Sequence, residues 1–592
     1  MCDNRHYISE APLSLNSVRK RIENFLSSNG LRFTALDRYI IISRDEDGEM
    51  IIAGGGLDGN VIKCVAVSEA ARGENLMNIL VSRLISIAHE EGHESVKAFT
   101  KPSNEDIFRS LGFNLLASSG KAVLMENGRG GLPEYRKYLK SLSRPGRNGA
   151  VVMNANPFTE GHRYLIGQAA SQVDNLYVIV VKEDRSRFPY SERKAMIEAG
   201  CAGLENVIVC EGSDYTVSAA TFPTYFLKQL DESTPAHIEL DLDLFVKHIA
   251  QPLGVTVRFA GSEPEDDLTR CYNKMMSEIL PASGNPISFV EIPRLEQSGK
   301  PVSATSLRNA LDRGDLKSAI GLVPVSTIPY MIADLAERAL RMELETTPKP
   351  GLVDKLDNGA HKDMDYELMS ASISALRPYL TRIAVRSAKD IDVAEIKAAG
   401  IEAEEAMLEA TGGVNTHRGA LFCMGLAVAA SSFLACNEGQ VAEAPFRELI
   451  SRIASGIPSA GSTHGAEAKR NFKVGGALEN ARMAYPALFS AWLPYFRSLA
   501  GDQYRCHKTL LYIMMSLDDT NVLHRRGAEG LAYAKSEAAG LLGNFSIGGL
   551  SSMNADFIRE NISPGGSADM LSLTIFIDHV ITVSYTHLTL PT

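Results

Sequence analysis

The sequence predicts a multidomain protein in which two α/β domains precede an all-α domain, and three observations carry that prediction. At 592 residues and 64.2 kDa the chain exceeds what one hydrophobic core serves, and length alone suggests roughly three to four domains. Between Gly149 and Ile292 five short apolar runs alternate with helical patterns, the signature of a parallel, doubly wound Rossmann-like sheet with its site at the strand C-terminal ends. From Ile328 onward the texture changes to long Ala-, Leu- and Met-rich helical segments with Gly-rich turns, which predicts helices alone.

Taken in order, residues 1–126 read as a first α/β domain, with strands at Tyr39 to Ser43, Met50 to Gly54 and Val61 to Val67 and an amphipathic helix from Asn75 to Glu91. Residues 127–148, rich in Gly, Arg and Pro, read as a linker holding a short helix at Glu134 to Leu142. The second domain, 149–327, takes strands at Gly149 to Asn154, Leu176 to Val181, Asn206 to Cys210, Val255 to Ala260 and Ser288 to Ile292. Residues 328–582 form the helical domain. The tail 583–592, VSYTHLTLPT, breaks the helical pattern, resembles a translated sequencing adapter and is read as non-native.

Composition is that of an ordinary globular protein, with 45% hydrophobic and 22% charged residues. A net charge of −11 argues against a nucleic-acid partner. Eight scattered cysteines without a C-x-x-C pair read as reduced thiols rather than structural zinc. The greasiest stretch, Ala420 to Ala435, reads as too short and serine-rich to span a bilayer, and the N-terminus lacks an export core. The expectation is a cytoplasmic protein with no membrane partner.

The chemistry concentrates in Asn156-Pro157-Phe158-Thr159-Glu160-Gly161-His162, directly after an apolar run. Pro157 stops the strand, Gly161 allows close backbone approach, and His162 opens a helix whose N–H groups and dipole attract phosphate. Downstream, Ser303-Ala304-Thr305-Ser306-Leu307-Arg308 offers hydroxyls at a helix start and an Arg one turn in, a fork for leaving phosphates. Together these segments resemble the HxGH and STxxR signatures of the nucleotidyltransferase superfamily. The form with Thr159, with Arg258-Phe259-Ala260-Gly261-Ser262-Glu263-Pro264 and Tyr272-Asn273, resembles the citrate lyase ligases. That resemblance implies ATP-dependent, AMP-forming acetylation of a thiol through acetyl-adenylate. His162, Thr159 and Arg308 are then catalytic, and Asn156, Pro157, Phe158, Gly161, Gly261, Ser303 and Thr305 contact ATP. Arg193 joins them as a triphosphate contact or marks a solvated helix start. Glu263 is read on even terms as a ligand for magnesium or a ribose hydroxyl, or as a residue with no such role.

A second resemblance rests on Thr347-Pro348-Lys349-Pro350-Gly351-Leu352-Val353-Asp354, Gly359-Ala360-His361-Lys362-Asp363-Met364-Asp365, Gly413-Val414-Asn415-Thr416-His417-Arg418-Gly419, Asp519-Thr520-Asn521 and Ser563-Pro564-Gly565-Gly566-Ser567-Ala568-Asp569. This part is similar to triphosphoribosyl-dephospho-CoA synthases, which implies that ATP loses adenine while its ribose C1 bonds to the 2′-hydroxyl of dephospho-CoA. Displacement at an anomeric carbon builds oxocarbenium character, so carboxylates matter. Asp363 and Asp519 are expected to be catalytic. Asp354, Asp365 and Asp569 are candidate Mg2+ ligands. Lys349, His361, Asn415, His417, Arg418, His464 and Arg525 are expected to hold phosphates.

Phe108-Arg109-Ser110-Leu111-Gly112-Phe113 looks like the closing turn of a GNAT acetyltransferase fold, but Ala70 and Asn75 stand at the outer positions of that family's acyl-CoA loop around Gly73. The first domain is therefore read as GNAT-like, either a structural module or a guide for the carrier's thiol. The implied substrates and partners are ATP, acetate, dephospho-CoA and the acyl carrier protein of citrate lyase with its phosphoribosyl-dephospho-CoA arm. The alternative is that only one half is active while the other is a docking scaffold for that carrier.

Overall fold

The computed structural model describes residues 6–46, 50–128, 131–182, 186–216, 234–263, 266–458 and 475–581. The chain divides into two units, one of residues 1–156 and 161–301, the other of residues 157–160 and 302–592.

In the first unit, seven strands form one sheet: β1 Tyr7–Glu10, β2 Arg38–Ser43, β3 Ile51–Asp58, β4 Val61–Val67, β5 Ser95–Thr100, β6 Asn114–Ser118 and β7 Val123–Gly128, in the order β1-β2-β3-β4-β5-β7-β6. Every pairing is antiparallel except β4 with β5, whose parallel register covers Val61↔Lys97 and Ile62↔Ala98 alone. The Leu76–Glu90 helix buries Leu76, Leu80, Leu84 and Ile87 in the core of this sheet, the spacing of one helical face.

The second sheet is parallel throughout, in the order β10-β9-β8-β11-β12, from β8 Asn148–Met153, β9 Asn175–Val180, β10 Val207–Cys210, β11 Val255–Gly261 and β12 Ser288–Ile292. The predicted strands fall within two residues of these bounds, since each is a short run of mostly apolar residues, and β9 is buried along its whole length. Asn148 closes the N-terminal edge: its Nδ2 donates to Leu253 O (2.8 Å) and Arg144 O (2.9 Å), and its Oδ1 accepts from Asn175 Nδ2 (2.9 Å).

The expected linker is packed rather than free. Leu132, Tyr135 and Leu139 of the Leu132–Leu142 helix join Leu116, Ala117, Ala122 and Leu124 in one buried cluster with Ala150, Tyr177 and Ile179 of the parallel sheet. The two sheets therefore share a core.

The second unit is helical. Residues 302–327, which the sequence groups with the preceding domain, cluster with this unit by contacts. Its central Arg418–Glu438 helix has the length and composition to cross a membrane, but 78% of its apolar window is buried. Burial among neighbouring helices, rather than the shortness inferred from sequence, marks it as a core helix. Residues 583–592 and His464 lie outside the described residues.

Burial depresses the imidazoles of the helical unit: His361 to about 4, His417 to about 3, His579 to about 4, and His507 downward. Below pH ~6.5 the unfolded chain binds protons that the folded unit refuses, so stability falls as pH drops through that point and levels off below the folded values. Thermal denaturation should show the helical transition moving down between pH 6.5 and 4, with a shallower slope in His417→Gln. An unchanged slope in that variant would mean His417 is not buried neutral.

Candidate functional site

The segment after β8 is built by contacts that the sequence did not reveal. Ala155 is buried with φ 48, a left-handed conformation costing a non-glycine residue roughly 1–2 kcal/mol. Arg193 holds it there. Its side chain is fully buried, with Nη1 donating to Asn154 O (2.7 Å) and Val181 O (2.9 Å) and Nε donating to Phe188 O (3.0 Å). Asn156 Oδ1 accepts from Phe188 N (3.1 Å). Arg193 is thus neither a solvated cation nor a triphosphate contact, which corrects both sequence readings. Its planar fork joins the C-terminal ends of two neighbouring strands.

Pro157, Phe158 and Thr159 are buried in the second unit. There Phe158 O accepts from Thr327 Oγ1 (2.8 Å), and Glu160 N donates to Leu322 O (2.9 Å). The Glu160–Ala170 helix follows, with Gly161 and His162 half-buried in its first turn. In the Ala304–Asp312 helix, Ser303 is the N-cap and its Oγ accepts from Ser306 N (3.1 Å). Thr305 Oγ1 accepts from Arg308 Nη2 (3.0 Å). Those side chains begin with local roles in shaping a helix start.

At the end of β11, a Cβ on Gly261 would meet only Leu165 Cδ2 at 4.0 Å, so the open side of this glycine is available to a ligand. Asn273 Nδ2 steadies it by donating to Gly261 O (3.0 Å) and Glu291 Oε1 (2.7 Å). Glu263 is paired with Arg294. Arg258, read from sequence only as part of a motif, is buried over the Phe245 ring at 4.1 Å, beside Asp241 and Tyr272.

In the helical unit a cavity of about 1080 Å³ gathers Lys349, His361, Asp363, Asn415, His417, Arg418, Arg525 and Asp569, eight of the residues nominated from sequence. Its wall includes the first residues of three helices: Arg418 and Gly419, Thr520 and Asn521, Gly565 and Gly566. Their N-terminal N–H groups and dipoles favour anions. Arg525 Nη1 donates to Ala360 O (2.9 Å), and its Nη2 meets His361 Nδ1 at 3.3 Å, while His361 Nε2 meets Ser563 Oγ at 2.7 Å. His417 Nδ1 is bonded to Ser372 Oγ (2.8 Å), leaving Nε2 buried without a partner. Both imidazoles serve as neutral hydrogen-bonding groups, not as cations.

The carboxylates sort differently from the expectation. Asp354 and Asp365 do not line the cavity. Asp354 accepts from Lys349 N (2.7 Å) and Leu356 N (2.7 Å), and Asp365 caps the Tyr366–Ser387 helix through Leu368 N (2.8 Å). Asp519 is buried behind the wall, accepting from Asn521 N (2.9 Å), Val522 N (3.4 Å), Ser567 N (2.7 Å) and Ser567 Oγ (2.9 Å). Asp363 stands at the exposed rim. Asp569 faces the cavity, and burial, with the charges of Asp519 and Glu343, holds its carboxyl well above the usual carboxylate range. Gly419 is required beside it, because a Cβ there would fall 2.0 Å from Asp569 Oδ2.

Sequence reasoning missed Glu343, which lines the cavity and takes Lys349 Nζ at 2.5 Å. It sits on the buried face of the Ile328–Glu345 helix, where an isolated acid in an amphipathic pattern gives no signal. Asp518 and His524 also line the wall unannounced. Among the described residues no group of three or more His, Cys, Asp or Glu is placed to hold a metal ion by itself.

Removing the Arg193 fork leaves buried carbonyls unpaired at about 1–3 kcal/mol each. Arg193→Met should therefore lower the melting transition of the first unit and cut acetate-dependent pyrophosphate release. Loss of activity with unchanged melting would instead indicate direct contact with substrate.

Comparison with known proteins divides the chain in the same place as its chemistry. Residues 148–331 match the citrate lyase ligase C-terminal domain, and residues 329–586 match the ATP:dephospho-CoA triphosphoribosyl transferase family. The "[Citrate [pro-3S]-lyase] ligase" of Escherichia coli K12 is 43% identical over 324 residues, covering 54% of this chain and 91% of that protein. The "Probable 2-(5''-triphosphoribosyl)-3'-dephosphocoenzyme-A synthase" of Azotobacter vinelandii is 37% identical over 284 residues, covering 45% of this chain and 96% of that one. Among solved structures, Escherichia coli ElaA is 17% identical with a TM-score of 0.19, covering 21% of this chain and 99% of its own, and a TM-score of that size establishes no common fold. The chain belongs to two families at once, the citrate lyase ligases in its first part and the triphosphoribosyl-dephospho-CoA synthases in its second.

Proposed function

We propose that this protein is a bifunctional enzyme of citrate lyase maturation, with an acid–thiol ligase and a triphosphoribosyl transferase in one polypeptide. Membership of both families supports two activities over a single active half with a scaffold. The observation that carries the transferase reading is the cavity itself, where three helix starts, Lys349, Arg418 and Arg525 converge.

In the ligase reaction, an acetate oxygen attacks the α-phosphorus of ATP, the bond to the β-phosphate oxygen breaks, and pyrophosphate leaves. A thiol sulfur then attacks the acetyl carbon of the adenylate, and AMP departs with the bonding electrons. Positioning and electrostatics dominate such transfers. His162 and Arg308, with the amides at their helix starts, are assigned to the growing charge on phosphate oxygens. Thr159, Asn156 and Ser303 shape the backbone that presents them.

In the transferase reaction, the 2′-oxygen of dephospho-CoA bonds to ribose C1 of ATP as the C1–N9 bond breaks, and the hydroxyl proton ends on adenine. Lys349, Arg525 and Arg418 are assigned to phosphates. His361 and Asn415 are assigned to neutral hydrogen bonds. Asp569 is the carboxyl on the cavity wall best placed to act on the ribose. Magnesium fits this wall: the ion is commonly held by one or two carboxylates together with substrate phosphates, and Asp569 and Asp363 are the candidates that line it. Bound there, it would supply charge neutralisation to the triphosphate.

The GNAT-like sheet is assigned to guiding the carrier's arm, supported by the parallel β4–β5 pair, which is in register for two residues only, and by the turn at Gly73 and Asn75 (φ 92 and 59) that opens the Leu76–Glu90 helix. Because that sheet shares a core with the ligase sheet, deleting it would not test the idea. An exposed charge reversal does. Arg72→Glu, in that turn, should raise the KM for the carrier several-fold while leaving acetate-dependent pyrophosphate release unchanged; an unchanged KM removes the assignment.

The two activities separate cleanly by product. His162→Ala should lower acetate-dependent pyrophosphate release by roughly 10²-fold or more and leave dephospho-CoA-dependent adenine release intact, and Asp569→Asn should do the reverse. Failure of the unaltered chain to release adenine from ATP with dephospho-CoA would overturn the transferase half.

A further inference from the structure

The cavity extends well beyond the charged groups that the transferase reading uses. From the start of the Arg418–Glu438 helix it continues between that helix and the Val393–Ala410 helix, along Ile383, Ile396, Ile401, Phe422 and Leu426. From Arg418 to Leu426 is eight residues of helix, a reach of about 12 Å. Ile401 is 50% exposed, and Lys397 and Glu404 are the charged side chains of the same helix that line the cavity.

Two glycines make room for this extension. Gly400 and Gly425 lie inside the two helices and line the cavity, although glycine inside a helix costs about 1 kcal/mol relative to alanine. Packing accounts for little of that at Gly400, where a Cβ would meet nothing within 4 Å, while at Gly425 it would touch Ile383 Cδ1 at 3.5 Å. What the missing side chain leaves at Gly400 is space.

We propose that this apolar extension is the subsite for the pantetheine arm of dephospho-CoA, with Gly400 and Gly425 as its gauge. The inference rests on the transferase reading and adds to it where the acceptor's tail lies. Both substrates carry an adenosine and anionic phosphates, which belong near Lys349, His361, Arg525 and the helix starts. The pantetheine arm is the long uncharged part of either substrate, and it has to leave the phosphate end along a path with few charges. An apolar, elongated wall matches it, because burying a phosphate there would cost far more than burying methylene and gem-dimethyl groups.

The test is Gly400→Leu, whose Cβ would meet no described atom within 4 Å and which improves helix propensity. In the full-length chain, the KM for dephospho-CoA should rise on the order of tenfold or more while the KM for ATP stays unchanged. Inhibition of adenine release by 4′-phosphopantetheine should weaken in parallel, and Gly400→Ala should fall between the two. An unchanged KM for ATP and an unchanged rate of adenine release at saturating dephospho-CoA report that the helical unit remains folded. An unchanged KM for dephospho-CoA, or an equal rise for ATP, overturns the assignment, the second outcome placing adenine in the extension instead. These results are distinct from failure of the transferase reading, in which the unaltered chain releases no adenine.

Discussion

The carboxylate of Asp519 is the tie on which the transferase cavity depends. Buried at the start of the Thr520–Gly543 helix, it accepts from two amides of that helix and from the amide and hydroxyl of Ser567 in the next turn over. A carboxylate with this many donors fixes two helix starts against each other, because each N–H would otherwise be a buried orphan. Gly566 leaves just enough room, its would-be Cβ standing 3.1 Å from both carboxylate oxygens. Removing the charge would release both helix ends and with them the wall that carries Asn521 and Gly565.

The loop 347–365 obeys the same logic from the other side. Gly351 and Gly359 have φ of 70 and 56, and side chains there would run into Ile562 O at 2.2 Å and Gly351 C at 2.5 Å. Gly351 N donates to Asn554 Oδ1 (2.8 Å) and Asp354 holds the amides of Lys349 and Leu356. The backbone therefore delivers Lys349 and His361 to the cavity while carboxylates far from any substrate do the holding. The polar residues of the motif divide into those that build the wall and those that face across it.

In the first unit, strain and support are paired in the same way. The left-handed Ala155 is tolerated because Arg193 and Asn156 together over-determine the turn. A buried guanidinium is costly unless each N–H finds an acceptor, and strand-end carbonyls of a parallel sheet are acceptors with no ladder partner beyond them. The turn that begins the Asn156–His162 segment is thus made rigid by a residue outside that segment. The adjoining seven-stranded sheet contributes Leu116, Ala117 and Leu124 to the core that underlies this one, so it supports the ligase sheet physically.

What the sequence determined by itself was set by short-range rules. Val61–Val67 and Ser288–Ile292 were legible to the residue because alternating or continuous apolar runs have few other outcomes, and the helical half was legible from its period. The helix starts at Glu160 and Ala304 were legible because Gly, Pro and hydroxyls beside a helix start act over a few residues. Only the tertiary structure decided which acids face the cavity. Asp354, Asp365 and Asp519 look no different in sequence from Asp569, since an Asp before a helix reads equally as a cap or as a ligand. Arg193 looked like a triphosphate contact or a solvated helix start, while Glu343 and Gly400 gave no signal. Their roles depend on which backbone carbonyls, side chains or empty space the fold brings beside them, and none of those leaves a local pattern in a chain.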